Sequence, residues 1–210
     1  MLNNEIEKKL LLLQVNDALF PIGSYAHSFG LETYIQKGFV NNAETAFEYI
    51  EKRMLYGLAY TELLAVRFAY ETAMGTDLDN KGEDVFGKNA ESIVKELSQL
   101  EERLEASRIP MELREAAYKL GSRFTKTLEH MEVKYVNGIF RKYVEERRGK
   151  TVSHSCAYGV FCADVGITKE DAFIFYLYAQ LSYMFTNCVK AVPLGKSVGQ
   201  KLFFSLYPYC

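Results

Sequence analysis

The amino-acid sequence predicts an all-α protein, a compact bundle of about eight to ten helices forming a single domain over residues 1–210. Apolar residues recur at steps of three and four along most of the chain, which is the spacing of one helix face. No stretch shows convincing alternation of apolar and polar residues, and no internal repeat is present. The composition, 49 % hydrophobic and 25 % charged, is typical of a globular protein with a full core.

The first half of the chain predicts two long helices separated by a sharp bend. An apolar helix leads up to Phe20, where Pro21 prevents it from continuing. Asn42 is a favourable N-cap for a second helix, whose apolar positions recur as far as Phe68 and which Gly75 ends. Residues 75–89 are rich in Gly, Asp, Asn and Lys and therefore predict a loop.

The middle of the chain predicts two amphipathic helices. Ile93 begins an apolar face at helical spacing, and Glu101 falls among the charged residues of the opposite, solvent-facing side. Pro110 suits the first turn of the next helix, where its missing N–H costs nothing. Gly121 lies inside that helix at a cost of about 1 kcal/mol relative to alanine, which predicts a close approach of another segment.

The remaining helices are predicted at about 136–146, 153–163, 169–192 and 197–206. Thr168 and Asp171 have the spacing of a capping box at the start of the third of them. The apolar run Ala172 to Phe185 is shorter than the ~20 residues that cross a bilayer, so we interpret it as a buried core helix.

The charge and cysteine content restrict the possible partners and compartment. A net charge of -2 without a long basic tract gives no electrostatic surface for nucleic acid, and no segment predicts a membrane span. The four cysteines have no framework spacing, and the apolar run Leu10 to Leu13 is too short for a signal peptide. These observations predict a cytoplasmic protein with reduced thiols.

The sequence predicts no cofactor and no tight metal site within one chain, and it leaves weak or intersubunit metal contacts open. His154 and Cys156 are two positions apart, so on a helix they point in different directions and cannot share a metal ion. The glycines and serines of residues 23–30 lack the lysine of a phosphate-binding loop. A Ser24/His27 pair would need a third orienting group and an oxyanion pocket, and the sequence indicates neither.

The most informative segment runs from Leu13 to Glu32. Pro21 and Gly23 create a bend that is followed by small, polar and aromatic side chains. A bend held by side-chain hydrogen bonds would explain the glycines and serines, but it gives no reason for Tyr25 and His27. A small helical enzyme with an acid–base site at the Tyr25/His27 bend is one alternative, and a general helical interaction scaffold is another.

Leu13 to Glu32 resembles, almost residue for residue, the N-terminal signature of the urease accessory protein family UreF. Three further blocks resemble the same family in the same order, so the resemblance extends over about residues 10–206. They are Pro110 to Arg114 with Leu120 to Phe124, His154 to Val160 with Gly166, and Asn187 to Gly195 with Gly199-Gln200.

The resemblance implies a non-catalytic, all-helical factor for maturation of the nickel centre of urease. It implies a homodimer that binds the accessory protein UreH (also called UreD) and recruits the GTPase UreG, so that nickel is inserted into apo-urease. The family signature points to partner-binding residues in the bend and in the block around residue 190. These residues are Pro21, Gly23, Ser24, Tyr25, His27, Ser28, Gly30, Glu32 and Lys190.

Overall fold

A computed structural model describes residues 4–23, 30–75, 89–108, 110–192 and 195–209. Within these ranges the chain forms ten α-helices and no β-strand, which confirms the predicted fold class. Residues 76–88, most of the predicted loop, lie outside the description. The helices are α1 (Glu5–Asn16), α2 (Leu31–Gln36), α3 (Ala43–Lys52), α4 (Glu62–Ala73), α5 (Ala90–Ser107), α6 (Met111–His130), α7 (Ile139–Glu146), α8 (His154–Asp164), α9 (Lys169–Ala191) and α10 (Lys196–Ser205).

Helix α8 is the centre of the fold. All eleven of its residues are buried, and α4, α6, α7 and α9 pack around it. A helix that is apolar on every side is stable in water only when other elements cover it completely. The long helix α9 was predicted to be the buried core helix, but it exposes Ile174 and Tyr178 on one side. That prediction is therefore correct for only one face of α9.

Two glycines allow backbones to approach α8 and the segment that precedes it. A Cβ atom at Gly159 of α8 would lie 2.4 Å from the carbonyl oxygen of Val66 in α4. A Cβ atom at Gly121 of α6 would lie 1.9 Å from the carbonyl oxygen of Val152. Both distances are shorter than any van der Waals contact, so the close approach predicted at Gly121 is confirmed.

The single helix predicted from Asn42 to Gly75 is broken in the structure. The Asn42 cap is confirmed, because its side chain accepts a hydrogen bond from the Thr45 N–H and Thr45 completes a capping box. After α3, however, residues Arg53–Gly57 form a π-helical turn and Leu58–Tyr60 a 3-10 turn. A π turn adds a residue to the helical repeat and rotates the next helix about its axis. The core face of α4 is consequently formed by Ala65, Val66, Ala69 and Ala73 rather than by the expected Leu64 and Phe68.

Candidate functional site

The bend after α1 is anchored by two buried side chains on either side of an exposed proline. Phe20 and Ile22 are buried, and the Phe20 ring packs edge-on against Phe124 of α6 at a centroid distance of 5.9 Å. Pro21 lies between them on the surface. The local sequence therefore fixes the direction in which the chain leaves α1, and it presents Pro21 to solvent.

Gly23 is favoured by the backbone conformation and lies close to the end of a neighbouring arginine side chain. Its φ angle is +78°, in the left-handed region that favours glycine. The Arg123 guanidinium donates a hydrogen bond from Nη1 to the Ile22 carbonyl oxygen at 3.3 Å. A Cβ atom on Gly23 would lie 2.4 Å from that same Nη1 atom. Gly23 thus has a demonstrable structural role, whatever further role it has in binding.

The other predicted site residues divide into described and undescribed groups. Gly30 is the left-handed N-cap of α2 with φ +95°, and Glu32 is exposed in the first turn of that helix. Lys190 is exposed in the last turn of α9. Their role in partner binding stays a prediction. The remaining four, Ser24, Tyr25, His27 and Ser28, lie outside the described residues.

Packing brings the helices that carry the described site residues to one side of the molecule. Helix α2 contacts α9 directly. The Tyr183 hydroxyl of α9 donates a hydrogen bond to the carbonyl oxygen of Asn16 at 3.3 Å, which ties α9 to the end of α1. Leu31 and Asn187 line one common cavity. The bend, α2 and the second half of α9 are therefore neighbours in space although they are about 160 residues apart in sequence.

Helix α1 carries a second apolar face that points to solvent. Leu11, Leu12 and Val15 are buried in the core, whereas Ile6, Leu10 and Leu13 are all more than half exposed on the opposite side. We call these three exposed residues, together with Leu19, the α1 stripe. Leu19 is 91 % exposed and stands beside a hollow of about 510 Å³. Leu13, Gln14, Asp17, Leu19, Phe20, Pro21, Thr127 and Met131 line this hollow.

A second exposed apolar surface lies where α9 meets α10. Phe204 is 70 % exposed and its ring centroid is 5.3 Å from that of Tyr207. Tyr207 in turn contacts Tyr178 at 6.4 Å and the buried Phe203 at 5.6 Å. Aromatic side chains combine a large apolar area with a polar hydroxyl tip in tyrosine, and they are enriched at protein interfaces.

A cavity of about 1140 Å³ lies between α4, α5, α6 and α9, with His154 at its floor. Arg108, which follows α5, donates from Nη2 to both carboxylate oxygens of Glu62 at 3.1 and 3.2 Å. His154 is buried, its ring stacks on Tyr176 at 5.8 Å, and its Nε2 atom has no hydrogen-bond partner among the described residues. Burial lowers the pKa of His154 to about 4, so its imidazole is neutral at physiological pH.

Sequence reasoning misplaced Glu101. Glu101 was predicted on the solvent-facing side of α5, but only 2 % of its surface is exposed. The Tyr143 hydroxyl donates to its carboxylate, as does the Ser153 N–H at 3.0 and 3.1 Å. Burial raises the pKa of Glu101, and these hydrogen bonds act in the opposite direction. The carboxylate therefore holds the backbone just before α8 in place.

The described part of the chain contains no group of three or more His, Cys, Asp or Glu side chains placed to hold a metal ion. Cys156, Cys162 and Cys188 are buried as free thiols, and burial raises the pKa of each. A thiol with a raised pKa is a poor metal ligand because the thiolate is the binding form. Among the described helices, none combines the length and apolarity needed to cross a membrane.

Comparison with known proteins identifies the family. A family model for UreF matches residues 40–207. The urease accessory protein UreF of Bacillus sp. (strain TB-90) is 30 % identical over 205 residues, which cover 97 % of this chain and 82 % of the relative. The chain belongs to the UreF family. UreF proteins are urease accessory proteins and not enzymes, which decides against a helical enzyme with an acid–base site at Tyr25 and His27.

For a UreF protein, which acts by contact with other proteins, the exposed apolar surfaces are the features that sequence reasoning missed. The run of four leucines from Leu10 to Leu13 contained a signal for one of them, since four consecutive apolar residues cannot all face one side of a helix. The aromatic surface of α9 and α10 had no comparable signal. Tyr178 and Phe204 come together only through the packing of two helices.

Proposed function

We propose that this UreF protein is a homodimeric maturation factor that binds UreH/UreD, recruits the GTPase UreG and so enables nickel insertion into apo-urease. The family membership supports a role in urease maturation, and the exposed apolar surfaces are suited to a protein that works in an assembly. We expect this assembly to form in the cytoplasm. The observation that carries the proposal is the α1 stripe with its adjacent hollow.

The α1 stripe is suited to contact with a second copy of the same surface. A two-fold dimer uses one self-complementary patch twice, so each protrusion needs a recess on the same face. Leu19 protrudes from this face, and the hollow beside it is lined mainly by apolar side chains. A rotation about an axis near α1 would place the Leu19 side chain of each protomer at the hollow of its partner. Water would then be excluded from Ile6, Leu10 and Leu13.

Sedimentation equilibrium tests the dimer. The wild-type protein should sediment as a species of about 48 kDa, twice the chain mass of 24.0 kDa. The double variant Leu10→Glu, Leu13→Glu should be monomeric at micromolar concentration, because it places two charges at the centre of the interface. Ile174→Glu on α9 is a matched control, since Ile174 is 52 % exposed compared with 59 % for Leu10. A double variant that remains dimeric, or a control that dissociates equally, would contradict this assignment.

The bend and the end of α9 are proposed to bind the partner proteins. Support comes from the family signature at residues 21–32 and from the packing of α2 against α9, the helix that carries Lys190. Exposed polar residues on connecting segments commonly serve recognition. In this proposal Tyr25, His27 and Lys190 contact the complex of UreH and UreG, while the α1 stripe joins the two UreF protomers.

Affinity capture of UreH and UreG, followed by activation of apo-urease with nickel, tests this part. Tyr25→Ala with His27→Ala should abolish capture and activation while leaving the melting temperature and the dimer nearly unchanged. Tyr56→Ala removes an exposed tyrosine that lies outside the predicted site, and it should have no effect. If the double variant instead loses much of its thermal stability, these side chains hold the fold together. Lys190→Ala would then be the next variant to examine.

A further inference from the structure

The 1140 Å³ cavity contains a polar cluster that neither the family signature nor the proposed partners explain. We define the His154 cluster as His154, Tyr176, Glu62 and Arg108, which come from α8, α9, α4 and the end of α5. All four line the cavity. The charge of Glu62 affects the pKa of both His154 and Tyr176, and Arg108 also affects that of Tyr176, so the four groups are close neighbours.

The cluster contains hydrogen-bonding groups that have no partner in the described part of the chain. The Nε2 atom of His154 is completely enclosed and unpaired. The Tyr176 hydroxyl also has no hydrogen bond to a described residue. Unlike Nε2 of His154 it is not fully enclosed, and it opens onto the cavity. Arg108 uses only Nη2 for Glu62, which leaves its Nε and Nη1 donors for another acceptor. A buried donor without a partner costs about 1–3 kcal/mol, so the unused donors of Tyr176 and Arg108 on the cavity wall indicate a missing acceptor.

The charges and walls of the cavity restrict what it can bind. Three arginines line it, Arg53, Arg103 and Arg108, against two glutamates, Glu62 and Glu96, so the lining has a surplus of one positive charge. A carboxylate with its single negative charge matches this surplus, whereas a doubly charged phosphate exceeds it. Most of the remaining wall is aliphatic and includes Leu31, Leu58, Leu64, Leu100, Leu104 and Leu120. The cavity volume of about 1140 Å³ lies slightly above the roughly 300–1000 Å³ that small-molecule sites occupy.

We propose that the cavity binds an aliphatic monocarboxylate, with its carboxylate at the His154 cluster and its hydrocarbon chain along the leucine walls. The free Arg108 donors and the Tyr176 hydroxyl donate to the carboxylate oxygens. Neutral His154 lies beside these donors and adds no charge to the site. The aliphatic chain contributes affinity because each buried methylene is worth about 0.8 kcal/mol.

Isothermal titration calorimetry of the full chain with decanoate tests the proposal. Decanoate should bind saturably with a stoichiometry of one per chain and a Kd below about 1 mM. Acetate lacks the hydrocarbon chain and decanol lacks the charge, so each should bind at least about tenfold more weakly. Absence of saturable decanoate binding at concentrations of about 1 mM would overturn the proposal. Equal affinity for decanol and decanoate would overturn it as well.

Two variants locate the site. Tyr176→Phe removes only a hydroxyl and should raise the Kd for decanoate at least about tenfold, because a hydrogen bond to a charged group is worth about 1.5–3 kcal/mol. Arg108→Gln should raise it at least as much, with circular dichroism showing that the variant is folded. Tyr178→Phe, on the outer side of the same helix, is the matched control and should leave the Kd unchanged. Decanoate binding that neither cavity variant weakens would place the ligand elsewhere and refute the assignment.

Discussion

Replacing Gly121 with alanine should destabilise the protein although alanine is the better helix former. The Cβ atom of Gly121→Ala would lie 1.9 Å from the Val152 carbonyl oxygen, whereas ordinary contact begins at 3.4 Å. Helix α6 and the Val152 backbone must therefore separate by about 1.5 Å (3.4 minus 1.9). Neither segment can move freely. Helix α6 is packed on α8, and Val152 precedes Ser153, whose N–H is hydrogen-bonded to the buried Glu101 carboxylate.

The magnitude of the loss is set by the contacts that the displacement breaks. Overpacking a tight contact costs about 1–3 kcal/mol. Moving Val152 also strains the hydrogen bonds from the Ser153 N–H to Glu101, and a bond to a charged group is worth about 1.5–3 kcal/mol. The higher helix propensity of alanine over glycine offsets only about 1 kcal/mol of this loss. We therefore expect a net loss of about 2–4 kcal/mol in the free energy of unfolding, or roughly 4–16 °C in melting temperature for a chain of this length.

Urea denaturation followed by circular dichroism at fixed protein concentration measures this loss. Gly199→Ala in α10 is the matched control, because its Cβ atom would meet only the end of the Phe185 ring at 3.3 Å and a Val189 methyl at 3.7 Å. The Phe185 ring needs to move by only a few tenths of an ångström, so the control should change the free energy of unfolding by less than about 1 kcal/mol. If Gly121→Ala is as stable as the wild type, the α6 contact is not rigid and the reasoning is wrong.

Three further predictions concern the buried polar groups and the metal. Tyr143→Phe removes the hydroxyl that donates to Glu101 and should lower the free energy of unfolding by about 1.5–3 kcal/mol, with Tyr178→Phe as a control. Because the pKa of His154 is lowered to about 4 in the folded protein but is near 6.5 in an unfolded chain, the unfolded state binds the proton first and stability decreases as pH falls. We expect a loss of roughly 2 kcal/mol between pH 7 and pH 5 from this group, which a comparison with His154→Gln should reveal as a shallower slope. Finally, calorimetry with nickel should detect only weak binding to the purified chain, and a stoichiometric submicromolar site in the monomer would contradict the prediction that no tight metal site is present within one chain.

The sequence was most informative where the deciding interaction is local. Asn42 was identified as an N-cap from its residue type ahead of an apolar helical pattern, and Thr168 from Asp171 three positions later. Both side chains accept the expected hydrogen bond. Gly75 ends its helix with φ +78°, as a left-handed residue should. Gly121 was also identified, because a glycine inside an otherwise good helix needs a reason and close packing is the usual one.

Prediction failed where distant segments decide the environment of a residue. Glu101 has the sequence context of a solvated carboxylate, and only Tyr143 and Ser153, about 40 and 50 residues later, make its burial favourable. The same holds for the His154 cluster, whose members come from four separate parts of the chain. The partner-binding role of the bend is a different case, because it came from a family resemblance and most of its polar residues lie outside the described ranges.

The position of α8 in the sequence has a consequence for the synthesis of the protein. Its residues begin at His154, yet α4, which ends at Ala73, buries its alanine face directly against it. A nascent chain that has not yet reached His154 has no central helix on which α4, α6 and α7 can pack. Cooperative folding must therefore wait until about three quarters of the chain has left the ribosome, and the earlier helices depend until then on one another or on cellular chaperones.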